Sequence, residues 1–205
     1  MSSSAGSLTR PTGSCPDAST ARVAFQGERG AFSEDAAIKM LGPEITLVPC
    51  ATFRALFNSI NEGLADYALA PIENSLVGPI HPTVDLLSRS SLIVAGEVVM
   101  QIQQNLIGCP GCVFEEIEAV ESHPVALAQC ERFFAEHTRV QRIETEDTAG
   151  SVARIVERGD RKRAAIAGRR AAELYGGLII KEGLEDSPNN YTRFLLLTDA
   201  GVNHS

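Results

Sequence analysis

Val23-Ala-Phe-Gln-Gly-Glu-Arg-Gly-Ala-Phe-Ser33 reads as a short apolar strand, a polar loop with two glycines, and the start of a helix. Helical periodicity runs from Ala31 to Leu41 and stops at Gly42-Pro43. The same succession repeats outward from it. Ile45 to Pro49 is a second strand. Thr52 then caps a helix to Gly63, with Phe53, Leu56, Phe57, Ile60 and Leu64 on one face. Tyr67 to Ile72 is a third strand, and Pro79 to Ser88 a helix. Leu92 to Ile107 is one long β-like run. Ala119 to Glu121 leads into a helix capped by Ser122 and reaching about His137. Val140 to Glu144, Thr148 to Arg158, Ala164 to Ala167 and Arg169 to Tyr175 alternate again, and strands at Leu178 to Lys181 and Arg193 to Thr198 close the pattern. Alternation of this kind predicts an α/β fold of parallel sheets with helices on their faces.

The 205 residues suffice for two small lobes, each with its own core. The long strand near residues 97–107 is the natural crossing into a second lobe, and Gly183 to Thr192 the return. Lobe 1 is expected at about 22–98 and 188–198, and lobe 2 at about 99–187. Residues 1–21, rich in Ser, Thr, Gly and Pro, read as a disordered tail, and 199–205 as a second tail.

A net charge of −8 argues against a nucleic-acid partner, since phosphate binding needs excess Lys and Arg. The most apolar run, Ser91 to Ile102, is short and carries Glu97, so no membrane span is expected. Five cysteines at irregular spacing make no disulfide framework. With no secretory signal in the sequence, a cytoplasmic location is expected. Cys109-Pro-Gly-Cys112 is a lone C-x-x-C with no second pair, and reads as a turn rather than a metal or redox site.

Four stretches place polar or glycine residues after a strand and before a helix: Gly27 to Ser33, Pro71 to Gly78, Glu121 to Cys130, and Asp147 to Ser151. Carboxyl ends of strands form the binding crevice in open α/β sheets, and helix N-termini favour anions there. The pattern predicts a cleft for a small anion. Thr148, Ala149, Gly150 and Ser151 form one candidate anion nest. Gly27, Arg29, Gly30 and Ser33 form the other. A fifth stretch, Asn189-Asn-Tyr-Thr-Arg-Phe194, sets polar groups directly before the apolar strand Leu195-Leu-Leu197. Such groups need partners, or else form a surface turn.

Pro71-Ile-Glu-Asn-Ser75 with Gly78 and Asp85-Leu-Leu87, Ser122-His-Pro with Ala126-Leu127 and Gln129-Cys130, Asp147-Thr-Ala-Gly150, and Thr192-Arg-Phe194 occur in this order. Together they resemble the prephenate dehydratase catalytic domain over roughly residues 22–198. The resemblance implies two α/β lobes similar to type II periplasmic binding proteins, with the substrate prephenate in the cleft and neither metal nor organic cofactor. It also implies a homo-oligomer, most simply a dimer. Most members add a C-terminal ACT domain that binds phenylalanine. Here the sequence ends eleven residues after Phe194, so absence of that domain and of strong phenylalanine feedback is expected.

The resemblance implies catalytic roles for Thr192, Glu73, Asn74 and Gln129. Thr192 is the expected donor to the departing hydroxyl; the bland reading is a threonine that starts a strand. Asn74 can bond the ring hydroxyl or a carboxylate. Glu73 can orient Thr192 or Arg193, or carry the proton itself if burial raises its pKa. Gln129 is the substrate-orienting amide. Arg193 can grip a carboxylate or bridge to Glu73 or Asp186, and Phe194 is a wall. Ser75 is a ligand donor or a cap. Ser122 is a cap whose oxygen also faces the cleft, while His123 is expected to serve local structure. The competing functions are an arogenate dehydratase and a non-catalytic small-anion binding module of the same fold.

Overall fold

The computed structural model describes residues 21–201; of the expected tails 1–21 and 199–205, residues 1–20 and 202–205 lie outside the described residues. The elements are β1 Arg22–Gln26, α1 Phe32–Leu41, β2 Thr46–Cys50, α2 Phe53–Asn61, β3 Tyr67–Asn74, β4 Gly78–Pro79, α3 His81–Arg89, β5 Ile93–Gln101, β6 Asn105–Gly108, β7 Ala119–Ser122, α4 Pro124–Ala128, α5 Glu131–Glu136, β8 Gln141–Glu144, α6 Ala149–Arg158, β9 Arg163–Ala167, α7 Arg169–Tyr175, β10 Leu178–Lys181 and β11 Tyr191–Thr198. They form two sheets. One runs β2-β1-β3-β11-β5 with β4 beside β3, and the other β10-β6-β9-β7-β8.

The sheets are mixed, which corrects the expectation of parallel ones. β1 is parallel to β2 and β3, and β7 to β8 and β9. β11 is antiparallel to both β3 and β5, and β6 is antiparallel to β9 and β10. The cause is the crossing between the lobes. The chain leaves the first sheet at Gln101 and re-enters beside it at Tyr191, which pairs with Gln101. A strand that returns where another departed must run back along it. In the second sheet Leu106 and Lys181 pair near the same crossing. The expected long run 92–107 is therefore two strands in different sheets, joined at Ile102–Gln104. The Ile102 N–H donates to Asn190 O at 2.8 Å, and the Leu184 N–H to Gln104 O at 2.8 Å, tying both passages together.

Packing follows the sequence pattern. α2 is capped by Thr52 Oγ1, which accepts from the Ala55 N–H at 3.1 Å, and buries Leu56, Phe57 and Ile60. Leu64, expected on that face, lies beyond the helix end and is exposed. β3 is central and buried on both faces from Tyr67 to Ile72. α2 packs on one side of it and α1 on the other, giving two apolar clusters, while the second lobe has a third cluster of its own.

The helix expected from Ser122 to His137 is two short ones. Its N-cap is His123, whose Nδ1 accepts from the Val125 N–H at 3.2 Å. Ser122 is fully buried, and its Oγ donates to Ile166 O at 2.6 Å across the sheet. The break falls at Gln129 and Cys130 because the return segment staples it open. Asp186 N–H donates to Gln129 O, and the Asp186 carboxylate accepts from the N–H groups of Glu131 and Arg132. An external carboxylate thus caps α5 and offsets the helical bonds lost at the break.

Cys109-Pro-Gly-Cys112 is a turn closed by the Cys112 N–H on Cys109 O at 3.0 Å. Both thiols are free and buried.

Candidate active site

A cavity of about 520 Å³ lies where the loops of both lobes converge. The β1–α1 loop supplies Gly27, Glu28 and Phe32. The end of β3 and the loop after it supply Pro71, Asn74 and Val77, and the start of α3 supplies Ile80 and His81. Ile102 and Gln104 come from the crossing, and His123, Val125 and Gln129 from α4 and its end. Glu146, Asp147, Thr148 and Ala149 come from the β8–α6 turn, and Thr192 and Phe194 from β11. Most of the wall is apolar. Among the described residues the ionisable lining groups are three carboxylates and two histidines, with no Lys or Arg.

The polar groups form one connected chain. Asn74 is 8% exposed and Thr192 7%, and they are register partners on β3 and β11. Asn74 Nδ2 donates to Thr192 Oγ1 at 3.0 Å and to Asn190 Oδ1 at 2.8 Å, with Tyr191 O a shared third acceptor at 3.2 Å. Asn190 Nδ2 donates to Gln129 Oε1 at 3.0 Å, and Gln104 Nε2 donates to the same oxygen at 3.1 Å. Asn190 is fully buried and Gln104 nearly so.

The residues expected from sequence divide clearly. Thr192, Asn74, Gln129, Thr148, Ala149, Phe194 and Gly27 line the cavity. Glu73, next to Asn74 on an alternating strand, points away from it and is exposed. Arg193 stands beside Glu73, 3.7 Å from its carboxylate and 3.5 Å from that of Glu97, and is not among the residues that line the cavity. Asp186 pairs with Arg132 instead. Ser75 is exposed, and its Oγ donates to Asn189 O at 2.7 Å while accepting from the Tyr191 N–H at 2.9 Å. Ser122 is sealed in the second sheet.

In each expected anion nest a carboxylate of the chain takes one backbone N–H, while Thr148 and Ala149 of one and Gly27 and Ser33 of the other line the cavity. Asp147 Oδ1 accepts from the Gly150 N–H, and Gly150 is not among the residues that line the cavity. A Cβ on Gly150 would stand 2.6 Å from that oxygen, so a larger residue there would push the Asp147 carboxylate aside. At the other loop, buried Glu34 accepts from the Gly30 N–H at 2.9 Å, Arg29 Nε at 2.8 Å and Arg170 Nε at 2.8 Å. Burial pushes the Glu34 carboxyl up, but Arg29, the Gly30 N–H and Arg170 outweigh it and hold the pKa below the usual value. Arg29 and Gly30 therefore serve the contact between α1 and α7, not the cavity.

Gln104 and the role of Asn190 were not found from sequence. Gln104 sits in a β-like run that signals only a strand. Asn190 did carry a signal, a polar side chain just before a strand that buries both faces.

The prephenate dehydratase family model matches residues 23–201. The chain is 44% identical over 180 residues to arogenate dehydratase 1 of Petunia hybrida, covering 87% of this chain and 42% of that protein. It is 39% identical to the bifunctional chorismate mutase/prephenate dehydratase of Neisseria gonorrhoeae, covering 85% and 49%. The chain thus spans about half the length of these curated relatives. Among solved structures, a prephenate dehydratase from Arthrobacter aurescens in complex with L-Phe superposes with a TM-score of 0.80 at 29% identity, covering 88% of this chain and 61% of that one. The quorum-quenching acylase GqqA superposes with a TM-score of 0.78 at 32% identity, covering 89% and 65%. A family model spanning almost every described residue, together with these relatives, places the chain in the prephenate dehydratase family.

Proposed function

We propose that the chain catalyses decarboxylating dehydration of prephenate to phenylpyruvate, the lyase step that forms the aromatic ring in phenylalanine biosynthesis. The bond from the ring to its carboxylate breaks, and its electron pair enters the ring. The ring C–O bond breaks, and its pair leaves with the oxygen as hydroxide. Carbon dioxide and hydroxide depart, and the ring becomes aromatic.

One observation carries the reading: the hydroxyl of Thr192 is held at the cavity as an acceptor of the Asn74 amide. Its own hydrogen is then available to bond an oxygen that gains charge in the transition state. A threonine is too weak an acid to surrender that proton outright, so its contribution is a hydrogen bond to the departing hydroxide. The absence of Lys and Arg from the lining suits the other half of the reaction. A carboxylate locked in a strong ion pair would be stabilised before it left.

The second reading is arogenate as substrate. Two observations favour it. Glu28, Glu146 and Asp147 line the cavity and suit the ammonium group that arogenate carries where prephenate has a ketone. Relatives at 41–44% identity also bear arogenate dehydratase names. Purified protein supplied with each substrate separately decides between them. Phenylpyruvate or phenylalanine formed faster than in the enzyme-free solution supports a dehydratase, and the larger kcat/KM names the substrate. Neither product above that background would sink the reading and leave a binding module.

A further inference from the structure

We infer that Asn190 and Gln104 are positioning residues that force both substrate-facing groups, the Thr192 hydroxyl and the Gln129 amide, to present donors to the cavity. The inference rests on the dehydratase reading and deepens it.

The direction of the polar chain is set at one end by backbone. Asn74 Oδ1 accepts from the N–H groups of Leu76 at 3.0 Å and Val77 at 3.2 Å. A backbone N–H can only donate, so the Asn74 amide cannot turn over. Its Nδ2 must therefore face Thr192 and Asn190. Thr192 Oγ1 is thereby an acceptor on the protein side, and its hydrogen is left for the cavity. Asn190 must meet Nδ2 with its Oδ1, so its own Nδ2 faces Gln129. Gln129 must meet that donor with Oε1, and Gln104 Nε2 donates to the same oxygen. With two donors on one side, the Gln129 amide is left with Nε2 toward the cavity, and among the described residues no protein acceptor meets it. Each orientation follows from the one before it, ending at Gln104 Oε1, a buried oxygen with no partner.

Neither Asn190 nor Gln104 needs to touch the substrate for this. A site that offers only donors from these two positions suits ligand oxygens: a carboxylate and a departing hydroxide. A preset orientation costs no reorganisation during the reaction.

Asn190→Asp tests this with minimal change in shape. The ionised side chain still accepts from Asn74 but has no donor for Gln129, whose amide then turns and offers an acceptor to the cavity. The protonated acid regains an O–H that can donate to Gln129 Oε1. The expected result is a loss of kcat/KM of about 100-fold at pH 8, as for removal of one well-placed donor. Activity should then recover as pH falls and the new acid is protonated, with the enzyme-free rate subtracted at every pH. Gln104→Glu should show the same recovery from the other side of Gln129. The parent enzyme, measured alongside, should show no such rise. Absence of parent activity on both prephenate and arogenate would remove the dehydratase reading itself. An active parent, with folded variants whose pH profiles run parallel to it, would overturn only the inference. Failure of both variants to fold would also overturn it, because the chain would then be structural.

Discussion

Asn74 and Thr192 stand opposite each other on antiparallel strands, and the Asn74 amide donates to Thr192 Oγ1 at 3.0 Å. The pair joins the end of the third strand to β11, 118 residues further along the chain. Thr192→Val keeps the shape and deletes the donor. If the hydroxyl bonds the leaving oxygen, kcat falls by on the order of 100-fold with KM little changed. Thr192→Ser keeps the donor and retains far more activity, reduced because its χ1 is less restricted. Steady-state kinetics on folded protein measure both. A Val variant with parental kcat would remove Thr192 from the chemistry.

Glu34 links the two lobes. It lies on α1, and Arg170, which donates to it at 2.8 Å, lies on α7. Tyr175 Oη on α7 also donates to Arg29 O at 2.8 Å. Removing a buried charge from such a cluster strands its partners. Glu34→Ala should cost about 2–3 kcal/mol, less than a fully buried pair because both arginines reach solvent. Arg170→Leu should cost less, since Arg29 still neutralises Glu34. Midpoints of urea unfolding order the two variants. Equal midpoints for parent and Glu34→Ala would mean that the lobes are held together elsewhere.

Much of the fold was legible because apolar periodicity records burial. β1, α1, α2, β3 and α6 each fell close to their expected ranges. Strand direction was not legible, since it depends on where the chain re-enters a sheet after leaving it, and that is a relation between Gln101 and Tyr191 rather than a local pattern. The break at Gln129 was hidden for the same reason: its cause is Asp186, far along the chain. At the site, the family resemblance singled out Thr192, Asn74 and Gln129, which the structure places at two strand ends and at the end of α4. It could not say that Glu73 faces outward, because β3 is buried on both faces up to Ile72 and its alternation appears only at Glu73 and Asn74. It also could not foresee that Glu34 and Asp147 each accept a backbone N–H, of Gly30 and Gly150, in the two loops that looked free to bind an anion.

The described cysteines should resist alkylation. Cys50, Cys109, Cys112 and Cys130 are all buried. Burial, with Asp186, Glu185 and Glu131 nearby, pushes the Cys130 thiol up to about 12. Burial also raises Cys50, together with Glu62, and raises Cys112, together with Cys109 and Glu116. The thiolate is the reactive form, so little of it exists at pH 8 on Cys50, Cys112 and Cys130, while burial alone shields Cys109. Cys15 lies outside the described residues and is replaced by serine for this test. The Cys15→Ser protein should take up almost no label in iodoacetamide when folded, and four labels per chain in denaturant, read by mass. Rapid labelling of one cysteine in the folded protein would show that its surroundings open.

Asp35 makes stability fall as pH rises. It neighbours Glu34 on α1, with its side chain 32% exposed and 3.6 Å from Arg170 Nε, which is bonded more closely to Glu34. Burial raises its pKa to about 6. Arg170 opposes that shift, while the charges of Glu34 and Glu173 add to it. The folded state therefore holds a proton on Asp35 that the unfolded chain releases near the ordinary carboxylate value. Between those values the folded state binds more protons, so stability decreases as pH climbs through roughly 4 to 6. The ionised carboxylate continues to cost stability above that range. Glu34 acts in the opposite sense, because its lowered pKa contributes stability that is lost only as the medium becomes acidic enough to protonate it. Asp35→Asn removes the first effect alone. It should raise stability at pH 8 by about 1 kcal/mol after discounting for partial exposure, with the gain shrinking through pH 6 and vanishing near pH 4. Urea midpoints of parent and variant across that range measure it. A difference that stayed constant with pH would show that Asp35 titrates as an ordinary surface carboxylate, and that its place beside Arg170 does not govern the acid side of the stability profile.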